Sequence, residues 1–168
     1  MEYVVLVDES DQEIGQMEKI EAHQKGLLHR AFSVFIFNSK GEMLLQQRAK
    51  SKYHSPELWT NTCCSHPRIN ENLEAAANRR LEEEMGMSAD LKYGFNFIYK
   101  VKFDNNMFEH ELDHVFFGRS DECPKVNSEE VQDYRYTHPD KIAQEIANNP
   151  EQFTEWFKIC FKTVVEKI

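Results

Sequence analysis

Short runs of apolar residues separated by polar turns divide the first half of the chain into predicted strands. Tyr3–Val7 is a run rich in valine that ends in a cluster of polar residues. Residues 29–38 alternate between apolar and polar at first and then become continuously apolar, which is typical of a buried strand. Turn-forming residues at 38–41 connect this strand to a second one over 42–48, so the pattern predicts a hairpin.

A helical pattern replaces the strand pattern in the middle of the chain. Residues 71–86 carry apolar side chains at helical spacing, with glutamates in the first turn. Asn70 is the predicted N-terminal cap, and Gly86 is the predicted end of the helix. We therefore expect one central helix between two groups of strands.

The remaining segments return to strands and then close with helices. Residues 92–103 and 109–119 are rich in β-forming side chains and flank an Asp-Asn-Asn turn, which predicts a second hairpin. A strand over 131–137 precedes two predicted helices, over 138–148 and 151–168. This order of elements predicts an α/β or α+β sandwich that forms a single domain over the whole chain.

Composition and charge narrow the range of partners. The 168 residues are 40% hydrophobic and 12% aromatic, which is a globular rather than a disordered composition. The net charge of -9 argues against nonspecific binding to nucleic acid, but it leaves room for a small anionic ligand in a local basic pocket. No apolar run reaches the roughly 20 residues of a membrane span, and the N-terminus lacks signal-peptide features. We therefore expect a cytoplasmic protein with no membrane or nucleic-acid partner, either a monomer or a homodimer.

Charged residues interrupt the apolar face of the predicted central helix. Arg80 and Glu84 project into the middle of an arc of five apolar residues, which are Leu73, Ala76, Ala77, Leu81 and Met85. One interpretation is a structural ion pair at i,i+4 spacing. The other is functional, because burying an ion pair seldom adds net stability. In that case the carboxylate binds a cation and the arginine binds an anion beside it.

Residue types that bind metals occur at alternating positions of extended segments. The candidates are His23, His29, Cys64, His66, Glu109 and Glu111. Cys64 and His66 share one face of an extended segment, and so do Glu109 and Glu111. Two carboxylates aimed at one point repel each other unless a metal or a proton intervenes. Three histidines with two glutamates suit Mn, Fe or Zn, although each residue taken singly also fits an ordinary packed or surface position.

Five basic residues are candidates for an anion site. They are Lys19, Arg48, Lys52, Arg79 and Arg80. Each also fits an ordinary role in surface solubility, and none belongs to a glycine-rich phosphate-binding loop. The four cysteines form neither a disulfide pattern nor a CxxC pair, which leaves a reduced thiol at Cys63 or Cys64 available for chemistry.

One segment carries a resemblance to a known family. Residues Trp59-Thr60-Asn61-Thr62-Cys63-Cys64-Ser65-His66-Pro67 resemble the active-site cysteine motif of type 1 isopentenyl diphosphate isomerases almost residue for residue. Four other stretches resemble motifs of the same family in the same order, at 18–33, 79–86, 109–111 and 153–156. The resemblance extends over about residues 3 to 165, nearly the whole chain.

The central helix also resembles a degenerate Nudix box. Ser65 replaces the first glycine of that motif, and Arg80 replaces one of its glutamates. The positions that match the box are Glu71, Arg79, Glu83, Glu84 and Gly86. Loss of the glutamate removes one carboxylate from the usual magnesium cluster, so this departure favours the isomerase over a Nudix hydrolase.

The family resemblance implies a fold and a reaction. The fold is a Nudix-like mixed β-sheet sandwich flanked by helices. The reaction, in isoprenoid biosynthesis, protonates isopentenyl diphosphate at its terminal alkene carbon to give a tertiary carbocation-like species. A proton is then lost from the carbon next to that cationic centre, giving dimethylallyl diphosphate. Cys64 and Glu111, the latter assisted by Tyr99, are the implied proton carriers, and which one donates stays open. Trp156 is implied to stabilise the carbocation-like intermediate through cation–π attraction.

The resemblance implies two divalent cations. Mg²⁺ is expected to bind the substrate diphosphate together with Glu84 and the five basic residues named above. A transition metal, Mn²⁺ or Zn²⁺, is expected at a second site whose ligands are His23, His29, His66, Glu109 and Glu111. It would order the site and shift the pKa of Glu111.

Two other functions compete with the isomerase. A Nudix hydrolase acting on a nucleoside diphosphate derivative predicts phosphate release with no need for Cys64. A catalytically silent metal-binding or partner-binding domain predicts metal uptake without turnover.

Overall fold

The chain forms nine β-strands and four α-helices, described for residues 1–168 by a computed structural model. The elements in chain order are β1 (Tyr3–Val7), β2 (Glu13–Glu18), α1 (Lys19–Lys25), β3 (His29–Phe37), β4 (Met43–Arg48), β5 (Trp59–Thr60), β6 (Cys63–Ser65), α2 (Leu73–Met85), β7 (Lys92–Lys102), β8 (Phe108–Arg119), β9 (Val131–Thr137), α3 (Pro139–Asn148) and α4 (Glu155–Lys167). A 3₁₀ turn at Pro150–Gln152 lies between the last two helices.

The strand β3 lies at the centre of the mixed sheet. It pairs in parallel with β8 from His29 opposite Glu111 to the far end of both strands. On its other side it pairs antiparallel with β6, where Ser33 lies opposite Cys64. Because its neighbours carry the predicted cysteine and glutamate, β3 aligns the parts of the chain that the sequence marks for chemistry.

The predicted hairpin between β3 and β4 is limited to its turn. The two strands pair only at Phe37 and Met43, and then diverge. From there β4 pairs with β5 and β9. The continuously apolar β3 is buried on both faces. Along most of its length it forms hydrogen bonds with β6 and β8 rather than with β4. The second predicted hairpin, β7 with β8, is present along its full length.

Helices cover both faces of the sheet, and alternate residues of β3 face the two layers. Phe32, Val34 and Ile36 pack with the apolar side of α2. Phe35 and Phe37 pack with residues of α4, including Phe157. This alternation confirms the predicted sandwich of a mixed sheet between helices. None of the helices has the length and apolar character needed to cross a bilayer.

Two helix starts differ from the prediction. The cap of α2 is Asn72, whose side chain accepts a hydrogen bond from the Ala75 amide, whereas Asn70 adopts a left-handed turn with φ 62°. The helix α4 begins at Glu155 rather than at 151, because a proline-initiated 3₁₀ turn and an extended Phe153 precede it. Gly86 ends α2 in a left-handed conformation, as predicted.

The sequence pattern did not predict β2 and α1. The strand β2 is largely exposed and lacks apolar alternation. The helix α1 has only seven residues, begins after Glu18 and ends at the left-handed Gly26. This short helix holds His23 beside the sheet. An element that positions a predicted site residue was therefore not predicted from the sequence.

Candidate active site

One pocket at the sheet collects most of the predicted site residues. Its 14 lining residues are Lys19, Arg48, Lys52, Tyr53, His54, Cys64, Ser65, His66, Arg80, Glu84, Tyr99, Glu109, Glu111 and Trp156. His23 and His29 are fully buried and lie against His66, with ring centroids 5.6 Å and 5.0 Å from its ring. Arg79 is the one predicted site residue that the fold places away from this cluster of side chains.

Four residues at the inner end of the pocket form a tight histidine–glutamate cluster. The ligand atoms of His23, His29, His66 and Glu111 all lie within 4.8 Å of one another. Glu111 Oε1 is 2.9 Å from His66 Nε2 and 3.4 Å from His29 Nε2. All four side chains are buried, so the cluster concentrates nitrogen and oxygen donors in a site shielded from water.

Backbone carbonyls orient two of these imidazoles toward the cluster. His23 Nδ1 lies 2.7 Å from the Lys19 carbonyl oxygen, and His29 Nδ1 lies 2.8 Å from that of Leu27. A proton on each Nδ1 makes these hydrogen bonds and leaves the Nε2 lone pair facing inward, which is the arrangement of a metal-bound histidine. His29 Nε2 is buried and makes no aligned hydrogen bond, with Glu111 Oε1 3.4 Å away, an arrangement that costs free energy unless something else, such as a cation, satisfies it. The donor set therefore fits a divalent metal.

Glu109 belongs to a second, overlapping group. Its ligand atom lies within 4.8 Å of those of His23 and His54, and Glu109 Oε1 is 3.0 Å from His54 Nε2. The Tyr99 hydroxyl joins the two groups, because it lies 2.6 Å from Glu111 Oε2 and 3.0 Å from Glu109 Oε2. Four of the five predicted transition-metal ligands are therefore together in the first group. The fifth, Glu109, is in the second group with His23 and His54, and His54 was not predicted from the sequence.

No motif or periodicity identified His54. It lies between β4 and β5 in a segment without regular structure, where neither alternation nor helical spacing indicates which side chains face inward. Its neighbour Tyr53 also lines the pocket, with its hydroxyl 3.4 Å from His23 Nε2. Only the folded chain shows that these two residues belong to the site.

The two buried glutamates differ in their protonation. Burial, together with the nearby charge of Glu111, raises the pKa of Glu109 to about 8. Burial also acts on Glu111, but the imidazoles of His29 and His66 outweigh it and hold the pKa of Glu111 well below its ordinary value. Burial lowers the pKa of both His54 and His66 to about 3, so these rings are neutral and able to act as ligands.

The adjacent cysteines point in opposite directions, as the strand alternation predicts. Cys64 lines the pocket on β6, while Cys63 is fully buried in the core beneath α2. Burial raises the pKa of the Cys64 thiol well above its ordinary value, so the thiol carries its proton. Cys64 and Glu111 lie on strands that flank β3 from opposite sides.

An aromatic wall closes another side of the pocket. Trp156 is 2% exposed, and its indole N–H lies 3.3 Å from Asn61 Oδ1, to which it donates. The Arg48 guanidinium lies over the indole ring at 5.2 Å from its centroid. Arg48 is itself fixed by hydrogen bonds that it donates to the carbonyl oxygens of His54 and Ser55. The ring therefore already stabilises one cation in this structure.

The outer end of the pocket holds basic residues that are each paired with a carboxylate. Lys19 Nζ lies 3.1 Å from Glu2, and Lys52 pairs with Glu130. Arg80 donates to Glu84 at 2.5 Å and to Glu83 at 2.8 Å. Because these ammonium and guanidinium groups still line the pocket, an anionic ligand can compete for them.

Arg79 is held outside the pocket. It donates two hydrogen bonds to Glu71, of 2.7 Å and 2.9 Å, and a weaker one to Glu83. The paired bonds anchor the segment before α2 to the helix. Arg79 lines a neighbouring pocket with His66 and Arg80 rather than the pocket of the other site residues.

Glu84 faces the pocket from α2, apart from the histidine–glutamate cluster. Its side chain is 3% exposed, and it accepts a hydrogen bond of 2.8 Å from Gln46 in addition to the one from Arg80. The charges of Arg80 and Glu84 thus face inward, as the helical spacing predicts. A carboxylate and an arginine that line one pocket are together able to bind a complex of a cation with an anion.

Sequence comparisons show which known proteins the chain resembles. A family model for the NUDIX domain matches residues 27–157. The chain is 53% identical to isopentenyl-diphosphate Delta-isomerase of Pectobacterium atrosepticum, covering 96% of this chain and 90% of that protein. It is 54% identical to isopentenyl-diphosphate Delta-isomerase 2 of Photorhabdus laumondii, covering 94% of this chain and 89% of that protein.

Solved structures share the fold at lower sequence identity. A protein of Deinococcus radiodurans superposes with a TM-score of 0.74 and 21% identity, covering 88% of this chain and 90% of that one. A MutT protein of Methanosarcina mazei superposes with a TM-score of 0.65 and 21% identity, covering 83% of this chain and 94% of that one. These likenesses concern the fold alone.

Proposed function

The chain belongs to the isopentenyl-diphosphate Delta-isomerase family, within the Nudix superfamily, and from that membership we propose how its pocket divides the work of catalysis. The reaction is the interconversion of isopentenyl diphosphate and dimethylallyl diphosphate. The observation that supports the proposal best is the position of Cys64 and Glu111 on either side of β3. Both side chains line the same pocket, so a five-carbon chain bound there meets a thiol and a carboxylate from two different strands.

Cys64 and Glu111 are the proton carriers in this proposal. One donates a proton to the terminal alkene carbon, which leaves a tertiary carbocation-like centre on the next carbon. The other removes a proton from the CH2 group on the far side of that centre. Because the reaction is reversible, the group that donates in one direction accepts in the other. Tyr99, 2.6 Å from Glu111, orients that carboxylate and can pass a proton to it. An alkene is a weak base, so the buried site also excludes water that would compete for the proton.

The outer end of the pocket binds the diphosphate. We assign this role to Lys19, Arg48, Lys52 and Arg80, which line the pocket. Arg79 is left out because its two bonds to Glu71 hold it elsewhere. Glu84 contributes one carboxylate to a Mg²⁺ that arrives with the diphosphate, since Mg²⁺ typically takes one or two protein carboxylates plus phosphate oxygens.

The inner end binds a divalent transition metal, Mn²⁺ or Zn²⁺. We assign His23, His29, His66, Glu109 and Glu111 as its ligands. When bound, the ion supplies positive charge that keeps Glu111 ionised and fixes its position. The protein contributes the orientation of the rings through the carbonyls of Lys19 and Leu27.

Trp156 lies where it can stabilise a positively charged carbon chain. An indole face attracts a cation by roughly 2 kcal/mol or more when water is excluded. The Arg48 guanidinium lies over the same ring. A diphosphate that binds Arg48 draws the guanidinium toward itself and so changes the contact between Arg48 and the indole. Binding at the outer end is thereby linked to the environment of the carbons.

A turnover experiment tests the proposed function. Purified protein is incubated with isopentenyl diphosphate, Mg²⁺ and Mn²⁺, and dimethylallyl diphosphate and free phosphate are measured separately. We expect dimethylallyl diphosphate without phosphate. Phosphate release would instead identify a Nudix hydrolase, a result that the ion pairing of Arg80 with Glu83 and Glu84 disfavours. Metal uptake with no product of either kind would identify a silent binding domain.

A further inference from the structure

His54 is a buried histidine that none of the sequence motifs includes. Its side chain is 5% exposed and its ring is fixed by aromatic neighbours on several sides. Phe103 stacks on it with centroids 5.0 Å apart and planes 10° apart, and Trp156 meets it edge-on at 5.8 Å. Its own backbone carbonyl accepts a hydrogen bond from Arg48. The ring therefore has one orientation, with Nε2 directed into the pocket toward Glu109.

The contact between His54 and Glu109 has the distance of a hydrogen bond without its alignment. His54 Nε2 and Glu109 Oε1 are 3.0 Å apart, yet they do not meet the angular requirement that the His66–Glu111 pair meets at 2.9 Å. Two donor atoms bound at right angles to one divalent ion, each at about 2.1 Å, are about 3 Å apart. The pair is therefore arranged like two neighbouring ligands that converge on a third point.

His23 links this pair to the histidine–glutamate cluster. The ligand atoms of His23, His54 and Glu109 lie within 4.8 Å of one another, and His23 is also a member of the other group. Its Nδ1 is occupied by the Lys19 carbonyl, which leaves Nε2 alone to bind metal. One imidazole nitrogen binds one ion, so the two groups cannot each hold an ion through His23 at the same time.

We propose that His54 is a further ligand of the same divalent ion, so that four imidazoles and two carboxylates converge on one centre. The inference rests on the proposed transition-metal site and adds a residue to it. The six donors come from the two overlapping groups, His23, His29, His66 and Glu111 in one and His23, His54 and Glu109 in the other. Opposite ligands of an octahedral ion at about 2.1 Å are about 4.2 Å apart, so binding of one ion draws the two groups together around it. Such a set suits an octahedral ion such as Mn²⁺, whereas Zn²⁺ usually takes four ligands.

A six-donor protein set has a consequence for the roles of the two metals. It leaves no open coordination position, so the inner ion orders and charges the site without binding the substrate. Contact with the diphosphate then falls to the Mg²⁺ at Glu84 and to the basic residues of the outer end. The competing explanation is that His54 only donates a hydrogen bond to Glu109 and positions it.

Two near-isosteric variants separate the explanations. In H54E the new carboxylate can bind a metal but repels Glu109, and in H54Q the amide can donate to Glu109 but is a poor ligand. Mn²⁺ dissociation constants are measured from the free-ion signal in electron paramagnetic resonance titrations. If His54 is a ligand, H54Q binds Mn²⁺ at least about tenfold more weakly than the unaltered protein, since even outer-shell partners of a metal cost about 10- to 100-fold in affinity. H54E retains tighter binding than H54Q.

Substitution of Co²⁺ gives a readout that does not depend on activity. Octahedral Co²⁺ absorbs weakly in the visible, and its bands strengthen when a ligand is lost. We expect stronger bands in H54Q than in the unaltered protein. The control is H110Q, because His110 lies between the two glutamates but bonds to the Gly26 carbonyl on the opposite face of β8.

The outcomes that overturn the inference are distinct from failure of the proposed function. Unchanged Mn²⁺ affinity and an unchanged Co²⁺ spectrum in H54Q exclude His54 as a ligand. Tighter binding by H54Q than by H54E assigns it to positioning Glu109. Isomerase turnover of the unaltered protein is measured in parallel. A protein that shows the predicted metal behaviour but forms no dimethylallyl diphosphate would retain the six-donor site and lose the proposed function.

Discussion

The two ends of the pocket differ in how their charges are satisfied. At the outer end three of the four cations already have a carboxylate partner, as with Lys19 and Glu2 or Arg80 and Glu84, and Arg48 donates to backbone carbonyls. At the inner end, the buried His29 Nε2 makes no aligned hydrogen bond, and three imidazoles crowd around Glu111. The donor set of the inner end thus fits a divalent cation, whereas the paired cations of the outer end must exchange partners when an anion arrives. In the proposed function the carbon chain lies between these ends, in the pocket that Cys64 and Glu111 both line.

The largest expected effect comes from the region between the two ends. We expect Cys64→Ala to lower kcat by at least about a hundredfold, because a positioned acid or base contributes about 10²–10⁴ to rate. Metal content and melting temperature should change little, since the thiol is not among the predicted ligands. Isomerase assays, elemental analysis and thermal melts provide the measurements.

Cys63→Ala is the matched control for the thiol. Cys63 packs in the core beneath α2, so its removal should lower stability by about 1 kcal/mol and leave the kinetics near those of the unaltered protein. Equal loss of activity in both folded variants would remove Cys64 from the proton relay.

The next largest effect separates the inner end from the outer end. We expect His66→Ala to lose bound transition metal and activity together, with metal affinity reduced about 10- to 100-fold or more. The ring lies 2.9 Å from Glu111, so its loss also removes a partner that keeps this carboxylate ionised. Elemental analysis after purification reports the metal content, and full occupancy in the variant would place His66 outside the metal shell.

A smaller effect is expected at the outer end, and only in the presence of substrate. Glu84→Gln should retain the transition metal but raise KM for isopentenyl diphosphate about tenfold, a loss of about 1.4 kcal/mol in binding. Additional Mg²⁺ should partly restore it, because the carboxylate is proposed to share that ion with the diphosphate. Steady-state kinetics at several Mg²⁺ concentrations measure both quantities.

A purely structural Arg80–Glu84 pair makes a different prediction for the same variant. Removing one partner of a buried pair leaves an uncompensated charge and costs on the order of 3–5 kcal/mol. A large fall in melting temperature, with unchanged Mg²⁺ dependence in the folded fraction, would therefore exclude Glu84 from substrate binding.

The smallest effect is expected at Arg79. Its bonds to Glu71 and Glu83 predict that Arg79→Ala lowers stability by about 1 kcal/mol and changes KM less than twofold. Arg80→Ala, one residue further along the same helix, should raise KM clearly. Kinetics and thermal melts of the two variants show whether Arg79 acts on the fold or on the diphosphate. A matching rise in KM for both variants would return Arg79 to the binding site.

The parts of the site that lie on regular elements could be predicted from the sequence. Alternation along a strand separates Cys64 from Cys63 and places Glu109 and Glu111 on one face, because side chains on a strand alternate with a period of two. Helical spacing likewise turns Arg80 and Glu84 inward. These inferences need only local geometry, which the order of residues determines.

The parts that depend on irregular segments and on pairing between distant strands could not be predicted. His54 has no periodic context, and its role follows from the packing of Phe103 and Trp156 around its ring. The parallel register that places His29 opposite Glu111 is a long-range choice with no local signal. The position of Arg79 depends on Glu71, which lies before the helix rather than in the first turn that the pattern predicted.

Turnover in deuterated water tests the central claim most directly, which is that protein groups on the two sides of β3 carry the protons. Isopentenyl diphosphate is converted in D₂O with Mg²⁺ and Mn²⁺, and the product is followed by proton, deuterium and phosphorus nuclear magnetic resonance. Thiol and carboxyl protons exchange with solvent, so the account predicts deuterium in the newly formed methyl group of dimethylallyl diphosphate and an intact diphosphate. Product formed without deuterium, or free phosphate in place of product, would contradict it.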